Sequence, residues 1–298
     1  MKSLLATATR NSGKYIQEYV CYHYLLGFDR IVLGLHKCED DTLDKILKLP
    51  DFVLEKVDVV VNTHREHQRP FYLGVVERYH HDFEWMALID DDEYFYDSKL
   101  RQINEILYPI PDDVSQLWYP TTPFGHNQRL LSIPPAETRL AAFTRRAANR
   151  GHTYHKCFVR FKDILVAAER FPNNPSWYYC HGAKGVPGKT TSFDGFVYID
   201  AGFDWSIPQD IIGSTVTSYD ICNVHYAIGA LEDLILRARK WHDTYKDNSM
   251  WEYKSATLQS EWRENSTYAQ KYNCDEIEDT RMLVHVEPLR QLLSQCQK

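Results

Sequence analysis

Four acidic residues in succession, Asp90-Asp91-Asp92-Glu93, follow the apolar run Trp85–Ile89 (WMALI) and precede three aromatics, Tyr94-Phe95-Tyr96. Adjacent carboxylates repel one another, so a folded chain keeps such a run either for a cation or in open solvent. A solvated turn is the ordinary reading of an acidic run. A mere surface turn, however, seldom sits between two apolar blocks, and a strand that is apolar throughout reads as a buried parallel strand. Continued as a strand, Asp90 and Asp92 project to one side and Asp91 to the other. The D-x-D spacing then delivers two hard oxygen donors to one point. Mn²⁺ or Mg²⁺ suits that chemistry, with the diphosphate of a nucleotide supplying more oxygens.

The elements that must position this run can be read upstream of it. Leu4–Thr9 reads as a strand, and Tyr15, Ile16, Tyr19, Val20, His23 and Leu26 recur at helical spacing before Gly27 stops the helix. Arg30–Leu35 is a second strand and Thr42–Leu49 a short helix ended by Pro50. Phe52–Val61 is expected to be a third strand, and Gln68–Tyr79 a helix whose beginning Pro70 sets. Strand and helix alternating at this pace imply a mostly parallel sheet with right-handed crossovers, which binds ligands at the carboxyl ends of its strands. The acidic run stands at one such end. From about Pro109 to Pro208 the chain is rich in Pro, Tyr, Trp, Asn and Gly, with short strands such as Tyr154–Phe161 and Gly195–Ile199, and reads as an acceptor-side half. Helical patterns return over Ala230–Tyr245, Ser255–Tyr272 and Asp279–Ser294. The expected organisation is an α/β domain over 1–245, divided into 1–108 and 109–245, with a helical extension over 246–298.

Composition bounds the partners. The chain has 298 residues, 44% hydrophobic and 25% charged, enough for one sizeable core. A net charge of -7 argues against nucleic acid as the default partner. The apolar start at Leu4 is broken by Thr7, Thr9 and Arg10, too soon for a signal peptide, and no run approaches the roughly 18 apolar residues of a membrane helix. A cytoplasmic protein is the default expectation. Seven dispersed cysteines without a CxxC pair fit reduced thiols better than a disulfide framework or a zinc site.

These residues resemble the GT-A fold glycosyltransferases, a Rossmann-type α/β class, and specifically the branch that is family 2-like and family 92-like. The opening segment of that branch is echoed by Arg10-Asn11, then Glu18 to His23 and Leu26-Gly27. Its metal motif is echoed by Trp85 to Tyr94, its K-x-x-x-R-P segment by Lys156 to Phe161 without the proline, and its H-Y segment by His225-Tyr226, Glu232-Asp233 and Arg237. Ala230 stands where the branch often has Ser. The resemblance covers roughly residues 3–240. It implies a nucleotide-sugar donor (a UDP- or GDP-sugar) bound across the first strands, a glycan or other hydroxyl acceptor, and an inverting transfer. Asp90 and Asp92 would hold the metal, with His225 completing its shell.

Around that centre the sequence offers further candidates. Thr7, Thr9, Arg10 and Asn11 stand at the end of the first strand, where a base and ribose would lie, Asp40 and Asp41 after the second strand could take a ribose or base edge, and Asp91 is a further donor-binding candidate. Asp40 reads equally as a helix N-terminal acid favoured by the dipole. Lys156 with Arg160, and Arg237 with Arg239 and Lys240, could offset charge on a leaving diphosphate, or be solvated faces. A general base for the acceptor hydroxyl is sought among Asp194, Asp200, Asp204 and His181. Trp118, Tyr119, Trp177, Tyr178 and Trp205 could stack on sugars. Two other classes compete: a nucleotidyltransferase making nucleotide-sugars, for which Arg10-Asn11-Ser12-Gly13-Lys14 is a poor phosphate loop, and a non-catalytic carbohydrate-binding protein on a transferase fold.

Overall fold

The computed structural model describes residues 1–62, 68–146, 155–170, 178–179, 182–183, 186–192, 197–198, 220–226, 229–230, 232–234, 236 and 275–296. The chain divides into two units. The first comprises Met1–Thr121, Gly151–Asn223 and Gln291–Lys298, and the second Thr122–Arg150 and Val224–Arg290.

The first unit begins with β1 (Ser3–Thr9), α1 (Ile16–Leu25), β2 (Arg30–His36), α2 (Thr42–Leu47), α3 (Asp51–Leu54), β3 (Val57–Asn62), α4 (Arg69–Tyr79) and β4 (Trp85–Leu88). Its four strands pair in parallel in the order β3-β2-β1-β4. All seven residues of β1 are buried, as a strand flanked by parallel neighbours and covered on both faces requires. Gly27 ends α1 at φ +86°, a conformation that a side chain would strain. Gly34 in β2 lets α4 approach, since a Cβ there would lie 2.5 Å from the Phe71 ring.

The predicted third strand needs correction. Its first half is the helical turn α3, and the strand proper starts at Val57. Pro50 supplies a preset φ and its carbonyl accepts from the N–H groups of Val53 at 2.8 Å and Leu54 at 3.0 Å. An apolar run this short does not distinguish a turn of helix from a strand.

After β4 come β5 (Glu93–Asp97), α5 (Ile103–Leu107), β6 (Val114–Pro123), then, in the second unit, α6 (Arg139–Ala142) and β7 (Arg145–Arg146). The chain returns to the first unit with β8 (His155–Arg160), α7 (Phe161–Arg170), β9 (Tyr178–Tyr179), β10 (Gly182–Ala183), β11 (Lys189–Ser192), β12 (Val197–Tyr198) and the start of β13 (Ile221–His225), whose last two residues belong to the second unit. The sheet continues past β4 as β8-β6-β11-β12, with β8 antiparallel to both neighbours and β13 pairing with β5 and β6. It is therefore a mixed sheet with a parallel half, flanked by helices. Phe158 of β8 packs among Phe28, Phe95 and Tyr119 at ring separations of 5.4–6.2 Å. Such pairs each add about 0.5–1.5 kcal/mol beyond buried area.

In the second unit β7 pairs with β14 (Ile277–Glu278), and Asp279 takes hydrogen bonds from Arg146 and Arg281. Burial opposes its charge, but those two guanidinium groups hold its carboxyl below the usual range. The predicted helix over Asp279–Ser294 is a 3₁₀ turn, Arg281–His285, continued by an α-helix, Val286–Leu293. Ser255–Tyr272 lies outside the described residues.

Candidate functional site

Strand order decides where a ligand can enter. From β1 the chain steps outward to β2 and β3, then returns to the other side of β1 to form β4. The order reverses between β1 and β4, and open α/β sheets place their ligand crevice at the carboxyl ends of the strands beside such a reversal. Thr9 ends β1, Arg10 follows it, and Asp90–Glu93 follow β4, so both segments leave the sheet at that point.

The acidic run is a tight turn rather than continued strand: the Glu93 N–H donates to the Asp90 carbonyl at 3.0 Å. Alternation along a strand, expected from the spacing, therefore does not set the directions of Asp90 and Asp92. Hydrogen bonds set that of Asp90. The base of the turn is fixed from the core, where the carbonyl of Ile89 accepts from Thr7 Oγ1 at 2.9 Å and Tyr19 Oη at 3.1 Å. Burial raises the Tyr19 phenol well above its usual range, so it stays a donor. Asp91 turns toward β1 and accepts from the hydroxyls of Thr9 and Ser12.

Asp90 and Glu93 turn toward β8. Lys156 Nζ lies 2.8 Å from Asp90 Oδ2 and 2.8 Å from Glu93 Oε2. The Glu93 carboxylate also accepts from the Asp90 N–H at 2.9 Å, while Gln68 Nε2 donates to Asp90 Oδ1 at 3.3 Å. The side chains of Lys156 and Glu93 are 1% and 3% exposed, whereas that of Asp90 is 29% exposed. Asp92 is buried at 7%. Lys156 is placed by register: β8 runs antiparallel to β4 with Ala87 opposite Phe158, which brings Lys156 alongside the start of the turn.

The loop after β1 is cross-tied to the loop after β2. Asp40 accepts from the Gly13 N–H at 2.9 Å and the Thr42 N–H at 3.1 Å, and Asn11, at φ +50°, accepts from the Glu39 N–H at 2.8 Å. Thus Asp40 engages both carboxylate oxygens in holding these loops. Thr7 is fully buried and acts from within the core. Thr9 and Arg10 are buried at 1% and 6%. Arg160 parts from Lys156 to the far end of β4, opposite Trp85. Tyr119 is a core residue at 1% exposure, not a stacking platform, and Trp118 is half-buried. His225 ends β13 in the second unit, half-buried, its carbonyl accepting from the Phe124 N–H at 2.9 Å. Asp194, Asp200, Asp204, His181, Arg237, Arg239, Lys240, Trp177 and Trp205 lie outside the described residues, as does the side chain of Tyr178.

Sequence reading passed over Ser12, Gln68 and the strap role of Glu93. Ser12, a hydroxyl one loop-step beyond the first strand, carried a usable signal; Gln68, ahead of a helix, carried none. Among the described residues no three His, Cys, Asp or Glu side chains converge as a complete cation cage. The carboxylates of Asp90 and Asp92 are hard oxygen donors, the ligand type that Mg²⁺ and Mn²⁺ take. No described helix is long and apolar enough to cross a membrane.

No protein-family model and no curated protein matches the chain. Similarity to solved structures is distant. S. aureus TarS is 12% identical over 91% of this chain and 77% of its own, with a TM-score of 0.40. An active-site mutant of LgtC is 9% identical over 76% of this chain and 87% of its own, with a TM-score of 0.34. A putative glucose-1-phosphate thymidylyltransferase from Bacillus anthracis is 11% identical over 74% of this chain and 96% of its own, with a TM-score of 0.35. At these scores the likenesses assign neither fold nor activity, so function must be sought in the chain's own residues.

Proposed function

We propose that the protein is a metal-dependent glycosyltransferase that moves a sugar from a UDP- or GDP-sugar to a hydroxyl acceptor with inversion. The observation that carries this reading is the acidic turn at the point where the parallel strand order reverses, pinned to the β1 loop through Asp91 and to β8 through Lys156. The resemblance of Trp85–Tyr94 and the H-Y segment to the transferase motifs supports it.

In this reading Asp90 and Asp92 hold Mn²⁺ or Mg²⁺, and the resemblance adds His225. When bound, the cation neutralises charge that builds on the departing diphosphate. Thr9, Ser12 and Asp91 fix the β1 loop that faces base and ribose. Thr7 and Tyr19 keep the turn from shifting by fixing the Ile89 carbonyl, and positional error of about 1 Å already costs a large factor in rate. The acceptor proton goes to a base sought among Asp194, Asp200 and His181, named from the sequence alone.

Thermal-shift titration of nucleoside diphosphates and nucleotide-sugars, with and without Mn²⁺, tests the reading on wild type and Asp92→Ala. A matching nucleotide at a hundredfold excess over Kd stabilises the wild type by about 2.7 kcal/mol, only with metal. Asp92→Ala abolishes the shift. A wild type that no nucleotide stabilises under any cation overturns the proposal.

A further inference from the structure

The ammonium of Lys156 is buried against the two carboxylates that flank the turn, and this geometry bears on how a cation is admitted. Four carboxylates in four residues would by themselves collect divalent ions without any nucleotide. Lys156 changes the balance in two ways. It occupies Asp90 Oδ2, at 2.8 Å, so the oxygen Asp90 can offer a second cation is Oδ1, which accepts from Gln68 Nε2 at 3.3 Å. It also binds Glu93, which folds back onto the Asp90 N–H and is 3% exposed, so Glu93 acts as a strap and not as a ligand. A divalent ion on Asp90 would sit within a few ångströms of a fixed positive charge, and that repulsion is large wherever water is thin. A diphosphate supplies the missing negative charge and the missing oxygens together.

We infer that Lys156 sets the cation requirement of the acidic turn, so that Mn²⁺ or Mg²⁺ is held there only in company with a nucleoside diphosphate. This rests on the transferase reading and specifies how its site is loaded. Lys156 is thereby a positioning residue. It acts through Asp90 and Glu93.

The test is a Mn²⁺ titration of the full chain, with free Mn²⁺ followed by electron paramagnetic resonance, with and without UDP and GDP. Wild type is compared with Lys156→Met and with the double variant Lys156→Met/Glu93→Gln. The double variant removes the carboxylate that Lys156→Met would leave buried and unpaired, and circular dichroism reports which variants are folded. The wild type is expected to bind Mn²⁺ weakly alone and tightly with the matching diphosphate. The folded variants are expected to bind Mn²⁺ alone about tenfold or more tightly than wild type, and adding Asp92→Ala should erase that gain. Folded variants that gain nothing, or a wild type indifferent to diphosphate in its Mn²⁺ binding, overturn the role of Lys156 while leaving the transferase reading in place. A wild type silent to every nucleotide overturns the transferase reading, and this inference with it.

Discussion

Strand β8 carries two buried cations four residues apart, Lys156 and Arg160, with side chains 1% and 2% exposed. They share a face of the strand, yet they reach opposite ends of β4, because β8 runs antiparallel to it with Arg160 opposite Trp85. At the carboxyl end Lys156 meets two carboxylates of the acidic turn. At the amino end Arg160 meets mostly backbone: its Nε donates to the Val114 carbonyl at 2.7 Å and its Nη2 to the carbonyls of Ile110 and Pro111 at 3.2 and 3.1 Å. Its guanidinium also pairs with Glu84 and lies 4.2 Å above the Trp85 ring. A planar fork suits a fixed set of carbonyls, whereas an ammonium acts as a point charge between two carboxylates. One end of the β4–β8 pair is held through backbone carbonyls and the other through side-chain charge.

That contrast can be tested, starting from the largest effect. The largest expected effect comes from a buried imidazole on α1. His23 is fully buried among Tyr19, Tyr22, Phe28 and Tyr94, and burial lowers its pKa from 6.5 to about 3. A folded pKa below the unfolded one means that the unfolded chain binds the extra proton. Stability is therefore complete above about pH 6.5 and is lost as pH falls toward 3, by up to about 4 kcal/mol from this group. His23→Phe is expected to flatten that part of the denaturant-measured pH profile. An unchanged slope would overturn the assignment of this acid loss to His23.

Next in size, Arg160→Met should cost about 3 kcal/mol, because the Ile110, Pro111 and Val114 carbonyls lose their donor. Nucleotide and Mn²⁺ binding by the folded fraction should stay at wild-type strength. Weakened metal binding in this variant would break the distinction between the two ends. Smallest, Ser12→Ala removes one of the two hydroxyls on Asp91 and should cost about 1 kcal/mol in stability. Because it loosens the β1 loop, it should also weaken nucleotide binding by isothermal calorimetry, whereas an exposed serine far from the crevice would leave affinity unchanged.

Much of the scaffold was legible residue by residue. The strands Leu4–Thr9, Arg30–Leu35 and Trp85–Ile89 and the first and fourth helices follow from period, length and the stop at Gly27. The strand expected from Phe52 failed because local hydrogen bonding at Pro50 outweighs a pattern too short to carry a period. Within the site, residue type announced that Asp90–Glu93 mattered but not what each carboxylate does. Asp40 illustrates the limit: its place before a helix allowed a ligand contact or a helix N-terminal acid, and its carboxylate accepts from the Thr42 N–H at the start of α2 and from the Gly13 N–H of the loop after β1.

The sequence by itself determined the alternation of strand and helix, the burial of the first strands and the density of negative charge after β4, since each depends on neighbours within a few residues. Tertiary structure alone decided the strand order that reverses between β1 and β4. It also decided that Asp91 ties to Thr9 and Ser12 while Asp90 and Glu93 tie to Lys156. Those partners are 66 to 82 positions apart in Lys156–Asp90 and Thr9–Asp91, and no local propensity encodes a pairing across such distances. Register between β4 and β8 and the crossover through α4 bring them together.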